Sequence, residues 1–228
     1  AMWTYDVWAP QFARIVEIAR EARLDLLLVS SAQAAEQLRG RVCPPCEVHW
    51  VPEAIEVEAY PGRPWQDRTI DVLAFGRAYS RYHAAIAAGC EARGLRYVFQ
   101  RFPTRADFSQ ALGNAKISIC FPRSLTHPDV AGGISTVTLR YLQSMAAKCL
   151  IVGSSPADAP AMFGYDPVIE VEWADPVGQL QRLLADEQAA VAMTEKNFET
   201  VAAHHQTRNF VERVNSFVAA AHRPDQRQ

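Results

Sequence analysis

The sequence has no apolar run approaching the roughly 20 residues that cross a bilayer, and its N-terminus lacks the basic-then-apolar order of a secretory signal. Cytoplasmic residence is therefore expected, with a membrane edge as one place where a partner would lie. Concentrated positive charge is also missing: 23 Lys and Arg stand against 25 Asp and Glu, for a net charge of −2. Arginines are scattered among acidic residues rather than gathered on one face, which excludes a nucleic-acid partner. Cysteine is sparse and odd in number, at five, which excludes a disulfide framework. No G-x-G-x-x-G follows the early strands, which weighs against a dinucleotide enzyme, and no internal repeat or low-complexity segment occurs.

What is present is ordinary globular material: 228 residues, 49% hydrophobic and 21% charged, enough for one large core or two small ones. Cys90, Cys120 and Cys149 sit in apolar contexts and read as small core hydrophobes. Cys43 and Cys46 in "VCPPCEV" have the spacing of a redox pair or half a zinc site. Their flanks are those of a connecting loop, so they are expected to be neither metal-bound nor catalytic.

Periodicity gives a regular alternation. "APQFARIVEIAREARL" has helical spacing at Phe12, Ile15, Val16 and Ile18, "LDLLLVS" is a strand, "SAQAAEQLRG" a helix closed by Gly40, and "EVHWV" a strand. After a proline-rich loop the series resumes with the strands "TIDVLAFG", "LRYVFQ", "KISICFP", "CLIVG" and "PVIEVE", separated by amphipathic helices. Continuous apolar strands alternating with helices predict an α/β fold, a doubly wound parallel sheet covered on both faces. From Pro176 to about His222 the chain reads as helix, with Phe210, Val211, Val214, Phe217 and Val218 on one stripe.

The proline-rich loop near residues 52–68 is the one boundary. Residues 1–55 supply two strands and two helices, too little for an independent core, and look like the remnant of an N-terminal α/β domain; residues 56–228 form the second unit. The chain is accordingly expected to be a fragment. The last amphipathic helix should cross back and cover the remnant built from Phe12, Ile15 and the "LDLLLV" strand.

In an open parallel sheet, ligands bind beyond the carboxyl ends of the strands where strand order reverses. That rule selects "GRAYSRYH", with Gly76, Arg77 and Arg81, and "FPRSLTHPDVAGGIST", with Arg123, His127, Gly132 and Gly133. Ser135 and Thr136 are natural N-cap residues for the helix "STVTLRYLQSMAA", and backbone amides from Gly133 to Val137 would present its positive end. Arginine forks and a helix N-terminus converging from two loops describe a phosphate site. An ordinary capped helix, with Arg77 and Arg81 merely solvated, is the alternative. Glu170 and Glu172 share one strand face, and a solvated strand end explains them better than paired-carboxylate chemistry.

"VPEAIEVEAY", then "RTIDVLAFGRAYSRYH", then "GGISTVTLRYLQSMAAKCLIVG" resembles the C-terminal, nucleotide-sugar-binding half of GT-B glycosyltransferases, in the group-1 branch that includes spore-maturation-type enzymes. The resemblance runs from about Trp50 to Ala221, about three quarters of the chain. Gly76, Arg77 and Arg81 match the family's Gly-Arg and following basic residue, Pro122 and Arg123 its turn after the third strand, and "LQSMAAK", Leu142 to Lys148, its "LEAMAxG" helix. The family's Glu-x7-Glu pair falls on Ser135 and Gln143. Gln143 retains an amide suited to a ribose, whereas Ser135 is too short to replace a carboxylate at the donor sugar.

The resemblance implies a nucleotide-diphosphate sugar as donor substrate, no further cofactor, and no metal, since the sequence has no Asp-x-Asp element in a suitable loop. Arg77, Arg81 and the Gly133–Val137 amides would stabilise the departing diphosphate, Arg140 would either add charge at the phosphates or pair with a local acid, and His127 is the one local candidate for proton handling. The acceptor is unknown and its site would come from a missing N-terminal domain. The chain alone is therefore expected not to transfer sugar. A noncatalytic module that kept the donor-domain fold is the competing expectation, favoured by Ser135 and Gln143 in place of both glutamates.

Overall fold

The computed structural model describes residues 1–221. Near the N-terminus, β1 (Met2–Thr4), α1 (Phe12–Glu21), β2 (Leu26–Val29), α2 (Ala32–Arg39) and β3 (Glu47–Trp50) follow one another. The strands form a parallel three-stranded sheet in the order β1-β2-β3. The sequence pattern does not announce β1: three residues are too few for an alternation, and the segment becomes a strand by pairing Met2, Trp3 and Thr4 with Leu27, Leu28 and Val29. In α2, the Ser31 hydroxyl accepts from the Ala34 amide at 3.2 Å, an N-cap that fixes the turn out of β2.

The second unit runs β4 (Ile70–Phe75), α3 (Ser80–Ala92), β5 (Tyr97–Gln100), α4 (Arg105–Gly113), β6 (Ala115–Cys120), α5 (Arg123–Thr126), α6 (Pro128–Ala131), α7 (Leu139–Ala146), β7 (Leu150–Gly153), α8 (Ala159–Phe163) and β8 (Val168–Glu170). Its parallel sheet has the order β5-β4-β6-β7-β8, so the direction of winding reverses between β4 and β6. Both faces are covered, as the apolar strands predict. Leu73, Phe75 and Ile151 point towards α4, α7 and α8, while Val72, Ala74 and Val152 point towards α3 and the helix that starts at Pro176. The chain closes with α9 (Pro176–Ala185), α10 (Glu187–His204) and α11 (Thr207–Ala221). Helix was expected as far as about His222, which lies outside the described residues. No helix among the described residues is long and apolar enough to cross a membrane.

Helix α11 crosses back onto the first sheet, as expected, and covers the face of the Leu26–Val29 strand opposite to Phe12 and Ile15. Phe210, Val214, Phe217 and Val218 pack against Leu26, Leu28 and Val51, whereas Phe12 and Ile15 pack with Leu27 and Val29 on the other side. Strand side chains alternate, so one strand separates the two groups. Edge-to-face contact of Trp3 with Phe210 and stacking of His49 on Phe217, at 5.0 and 4.2 Å between ring centroids, complete the cover. The turn into α11 is tied to the inter-unit linker by a bond from the Ile55 amide to the His205 carbonyl at 2.9 Å.

The helix expected from Ser135 begins four residues later, at Leu139. Residues 135–137 are drawn away from helical geometry by other partners. The Ser135 amide donates to the Gln33 side chain at 2.7 Å, and the Val137 amide and Thr136 hydroxyl donate to the Asp158 carboxylate at 2.7 and 2.6 Å. Ser135 and Thr136 are therefore not N-caps.

Candidate active site

Strand ends from both sheets meet at one cleft of about 400 Å³. Tyr5 and Asp6 follow β1, Glu53 follows β3, Gly76 and Arg77 follow β4, Arg101 follows β5, and Thr138, Leu139 and Arg140 open α7. Gly76 adopts φ +69°, which turns the chain out of β4, and a Cβ at this position would lie 3.6 Å from the Arg140 guanidinium. Arg140 in turn donates to the Arg77 carbonyl at 3.1 Å. The point at which winding reverses is thus lined by arginine.

Arg77 is half-buried, and its Nε has no hydrogen-bond partner. Burial lowers its pKa, and the like charges of Arg140 and Arg123 lower it further. Arg123, whose guanidinium lies 5.0 Å over the Trp8 ring, also has an unpartnered buried Nε. Among the described residues, none of Arg77, Arg101, Arg123 and Arg140 forms an ion pair. Arg68 shows the contrast: it is buried too, but it donates to the carbonyls of Arg63, Ala115, Ala147 and Lys148, a structural use of the same side chain. Guanidinium groups without carboxylate partners, two of them half-buried with an unpartnered Nε, are a site for an anion.

Next to this cleft, and sharing Gly76, Arg101 and Arg140 with it, lies a second hollow of about 580 Å³. Tyr60, Phe75, Phe102 and Phe108 wall it, with Gln143 at its edge. The Gln143 side-chain amide donates to the Tyr60 hydroxyl at 2.9 Å. An aromatic hollow adjoining a cationic cleft has the form a nucleotide requires, with a flat apolar base at one end and charge at the other.

Other residues picked out in the sequence stand elsewhere. Arg81, the second residue of α3, is exposed and lies 4.3 Å over the Trp173 ring, outside the cleft. His127 is exposed and bonded through Nδ1 to its neighbour Thr126 at 3.0 Å; it does not line the cleft. Gly132 and Gly133 have φ +57° and +83°, so the Gly-Gly turn is real, but a Cβ at Gly132 would come 2.6 Å from Ala9. That glycine is required where α6 ends against the N-terminal unit. Neither it nor Gly133, Ser135, Thr136 or Val137 lines the cleft, and the amides of Ser135 and Val137 are already engaged. Ser135 Oγ accepts from the Ala157 amide at 3.2 Å. Glu170 accepts from Ser154 and Ser155, and Glu172 pairs with Arg182, which makes both local strand-end ties. Cys43 and Cys46 are free thiols in the loop before β3, and Cys90, Cys120 and Cys149 are buried.

Asp6, Glu53, Arg101 and Tyr60 were not singled out in the sequence. Arg101 follows a strand just as Arg77 does, and Glu53 follows β3, so the carboxyl-end rule applied to both sheets reaches these two, whereas Asp6 follows β1, which has no signal in the sequence. Glu53 is buried, its Oε2 has no partner, and its carboxyl receives the Leu139 amide. Burial chiefly, then Asp6, push its pKa up to about 7.

No family model matches the chain, and no curated protein matches it in sequence. Its similarity to solved structures is in the fold. HepE from Anabaena, solved with UDP and glucose, superposes with a TM-score of 0.65 at 9% identity, over 96% of this chain and 71% of that one. A glycosyltransferase from Rickettsia africae gives 0.61 at 8% identity, over 97% and 69%. Sucrose-phosphate synthase from Thermosynechococcus elongatus gives 0.59 at 12% identity, over 89% and 60%. The chain thus has the Rossmann-like α/β architecture of the GT-B group-1 glycosyltransferases. It spans 60% of the length of sucrose-phosphate synthase and 46% of that of TarM, another structure of the same fold.

Proposed function

We infer that the cleft binds a nucleotide-diphosphate sugar as the donor for glycosyl transfer, with residues 56–228 as the donor-binding part and residues 1–55 as an acceptor-side remnant. The observation that carries this reading is the convergence of Arg77, Arg123 and Arg140, with the Nε groups of Arg77 and Arg123 unpartnered, at the reversal of winding between β4 and β6. Arg77, Arg101 and Arg140 hold the diphosphate, and the hollow walled by Tyr60, Phe75 and Phe108 takes the nucleoside, within reach of the Gln143 side chain. As the sugar–oxygen bond breaks, charge grows on the diphosphate, and preorganised guanidinium groups stabilise that charge more than they stabilise the intact donor. These cations supply the neutralisation that a divalent ion supplies elsewhere, so the reading calls for no metal and no cofactor besides the donor. The fold of the neighbours, some solved with UDP, supports the same assignment.

A noncatalytic donor-binding module is the second reading. Ser135 stands where the resemblance implies a carboxylate at the sugar, and its hydroxyl is already engaged by the Ala157 amide. Calorimetric titration with a panel of nucleoside diphosphates and nucleotide sugars, with and without a chelator, tests donor binding and its metal independence. No binding across the panel would end the reading. Transfer of label from the best-bound donor to lipid, protein or saccharide acceptors then separates enzyme from module; the chain on its own is expected to bind without turnover.

A further inference from the structure

The N-terminus of α7 already has a buried carboxyl beside it. Its cap residue, Thr138, makes no side-chain cap bond, and the Leu139 amide is directed instead at the carboxyl of Glu53, which arrives from the other sheet. Glu53 is only 8% exposed, lines the cleft, and has an Oε2 with no partner. The charges that act on it are those of Asp6 beyond β1 and, behind the helix terminus, Asp158; Tyr5, Arg77 beyond β4, Arg101 beyond β5 and Arg140 on α7 line the same cleft. None of these forms an ion pair with Glu53 among the described residues.

We propose that Glu53 is a built-in occupant of the phosphate position: a phosphate-bearing ligand displaces its carboxylate from the Leu139 amide, and the displaced carboxylate takes up one proton from solvent at Oε2. This rests on the reading that the cleft receives phosphate. A helix N-terminus and an arginine cluster favour an anion, and Glu53 lines the same cleft beside the first amide of α7. When a ligand brings its own charge, two anions compete for one amide and one group of cations. Protonation removes the conflict, and Glu53 is the carboxylate that can accept the proton most readily, because burial and Asp6 already raise its pKa to about 7. Asp158 is committed to Thr136 and Val137 and cannot substitute for it.

The pH dependence has a definite sign. Below about pH 7 Glu53 is already protonated in the unliganded chain, so binding requires no further proton. Above that, affinity falls as pH rises, by at most about tenfold per unit. Inorganic sulfate is a suitable probe because it stays a dianion from pH 6 to 8.5 and does not titrate itself. Binding is followed by the Leu139 amide and the Arg77 guanidinium signals in NMR titrations. The dissociation constant for sulfate is expected to rise about tenfold or more from pH 6 to pH 8.5 in the wild type. In Glu53→Gln it should stay flat, at the wild-type pH 6 value. Calorimetry at pH 8 in buffers of differing ionisation enthalpy should record close to one proton taken up per sulfate by the wild type and none by the variant, with urea unfolding verifying that the variant is folded. A pH-independent wild-type affinity, an unchanged pH dependence in Glu53→Gln, or failure of the folded variant to bind sulfate would each overturn the proposal. If sulfate behaves as described and no nucleotide sugar binds, the nucleotide-sugar reading falls and Glu53 keeps its role. Nucleotide-sugar binding without proton uptake removes the role of Glu53 alone.

Discussion

Arg140 donates through Nη1 to the main-chain carbonyl of Arg77 at 3.1 Å, joining the N-terminal turn of α7 to the turn that follows β4. The bond spans the crevice at which winding reverses, so one guanidinium both shapes the turn and charges the cleft. Arg77, held by that turn, keeps its Nε free of any partner.

Arg77 and Arg81 are therefore expected to behave differently although they lie four positions apart. Arg77→Ala should weaken nucleoside-diphosphate binding by about 1.5 to 3 kcal/mol, the loss of a charge-assisted phosphate contact. Arg81→Ala removes a surface cation stacked on Trp173 and should change affinity by less than about 0.5 kcal/mol. Calorimetry on both variants decides: equal losses would mean that Arg81 reaches the ligand.

Two buried titrating groups should leave opposite marks on stability. His205 is buried against Phe163, and desolvation lowers its pKa from 6.5 to about 4. The unfolded chain takes up a proton that the folded chain resists, so this contribution is fully present above about pH 6.5 and lost as pH falls towards 4. For Glu53, raised to about 7 from 4.5, the contribution is fully present below about pH 4.5 and lost as pH rises through 7. Each amounts to about 3 kcal/mol, and between pH 4.5 and 6.5 the two slopes oppose one another. Urea unfolding across pH should show stability rising on acidification from pH 6.5 to 4.5 in His205→Gln and falling in Glu53→Gln, relative to wild type. Parallel profiles in all three proteins would show that neither group is shifted as described.

The order of strands and helices was legible because apolar runs such as "LDLLLV" and "TIDVLAF" are long enough to identify themselves, and the arginine of the first turn followed from its place at a strand end. What was not legible depended on partners distant in sequence. The N-cap chemistry of Ser135 and Thr136 is real locally, yet Gln33, 102 residues away, and Asp158, 22 residues away, compete for the same groups and win. The three residues of β1 carry no periodic signal. Glu53 sits in a loop whose sequence looks like linker, and only the meeting of two sheets brings it to α7. The alternation of strand side chains in Leu26–Val29 divides the strand between α11 on one face and Phe12 and Ile15 on the other.

The cover over the first sheet is expected to be worth more than an ordinary helix contact. Phe210 packs edge-on to Trp3 and onto the Leu26–Leu28 face, and without it that face meets water. Phe210→Ala should cost about 2 kcal/mol, within the range for truncating a partly buried aromatic. The loss should appear as faster amide exchange in β1 and β2, with β4 and β6 less affected. Uniform acceleration across both sheets would show that the two units unfold together.

Asp158 is the strongest single tie between the halves of the molecule and the site. Its carboxylate is 3% exposed and accepts from the Thr136 hydroxyl at 2.6 Å, from the Val137 amide at 2.7 Å, and from the Ala32 amide at the start of α2. Burial raises its pKa, but hydrogen bonds from Thr136, Val137, its own amide and Ala32 oppose the shift, so the carboxylate joins the segment before α7 to the start of α2. Asp158→Ala strands all three donors in the interior and should destabilise the protein by about 3 to 5 kcal/mol. Asp158→Asn keeps one oxygen and should lose less, about half as much. If Thr136 is coupled to it as the 2.6 Å bond implies, Thr136→Val should cost markedly less in the Asp158→Ala background than in wild type. The functional consequence follows from position: releasing residues 134–138 frees the start of α7, moves Arg140 away from the Arg77 carbonyl, and should weaken anion binding in Asp158→Asn even where the protein remains folded. Additive costs in the double-mutant cycle, together with wild-type sulfate affinity in folded Asp158→Asn, would remove Asp158 from both roles.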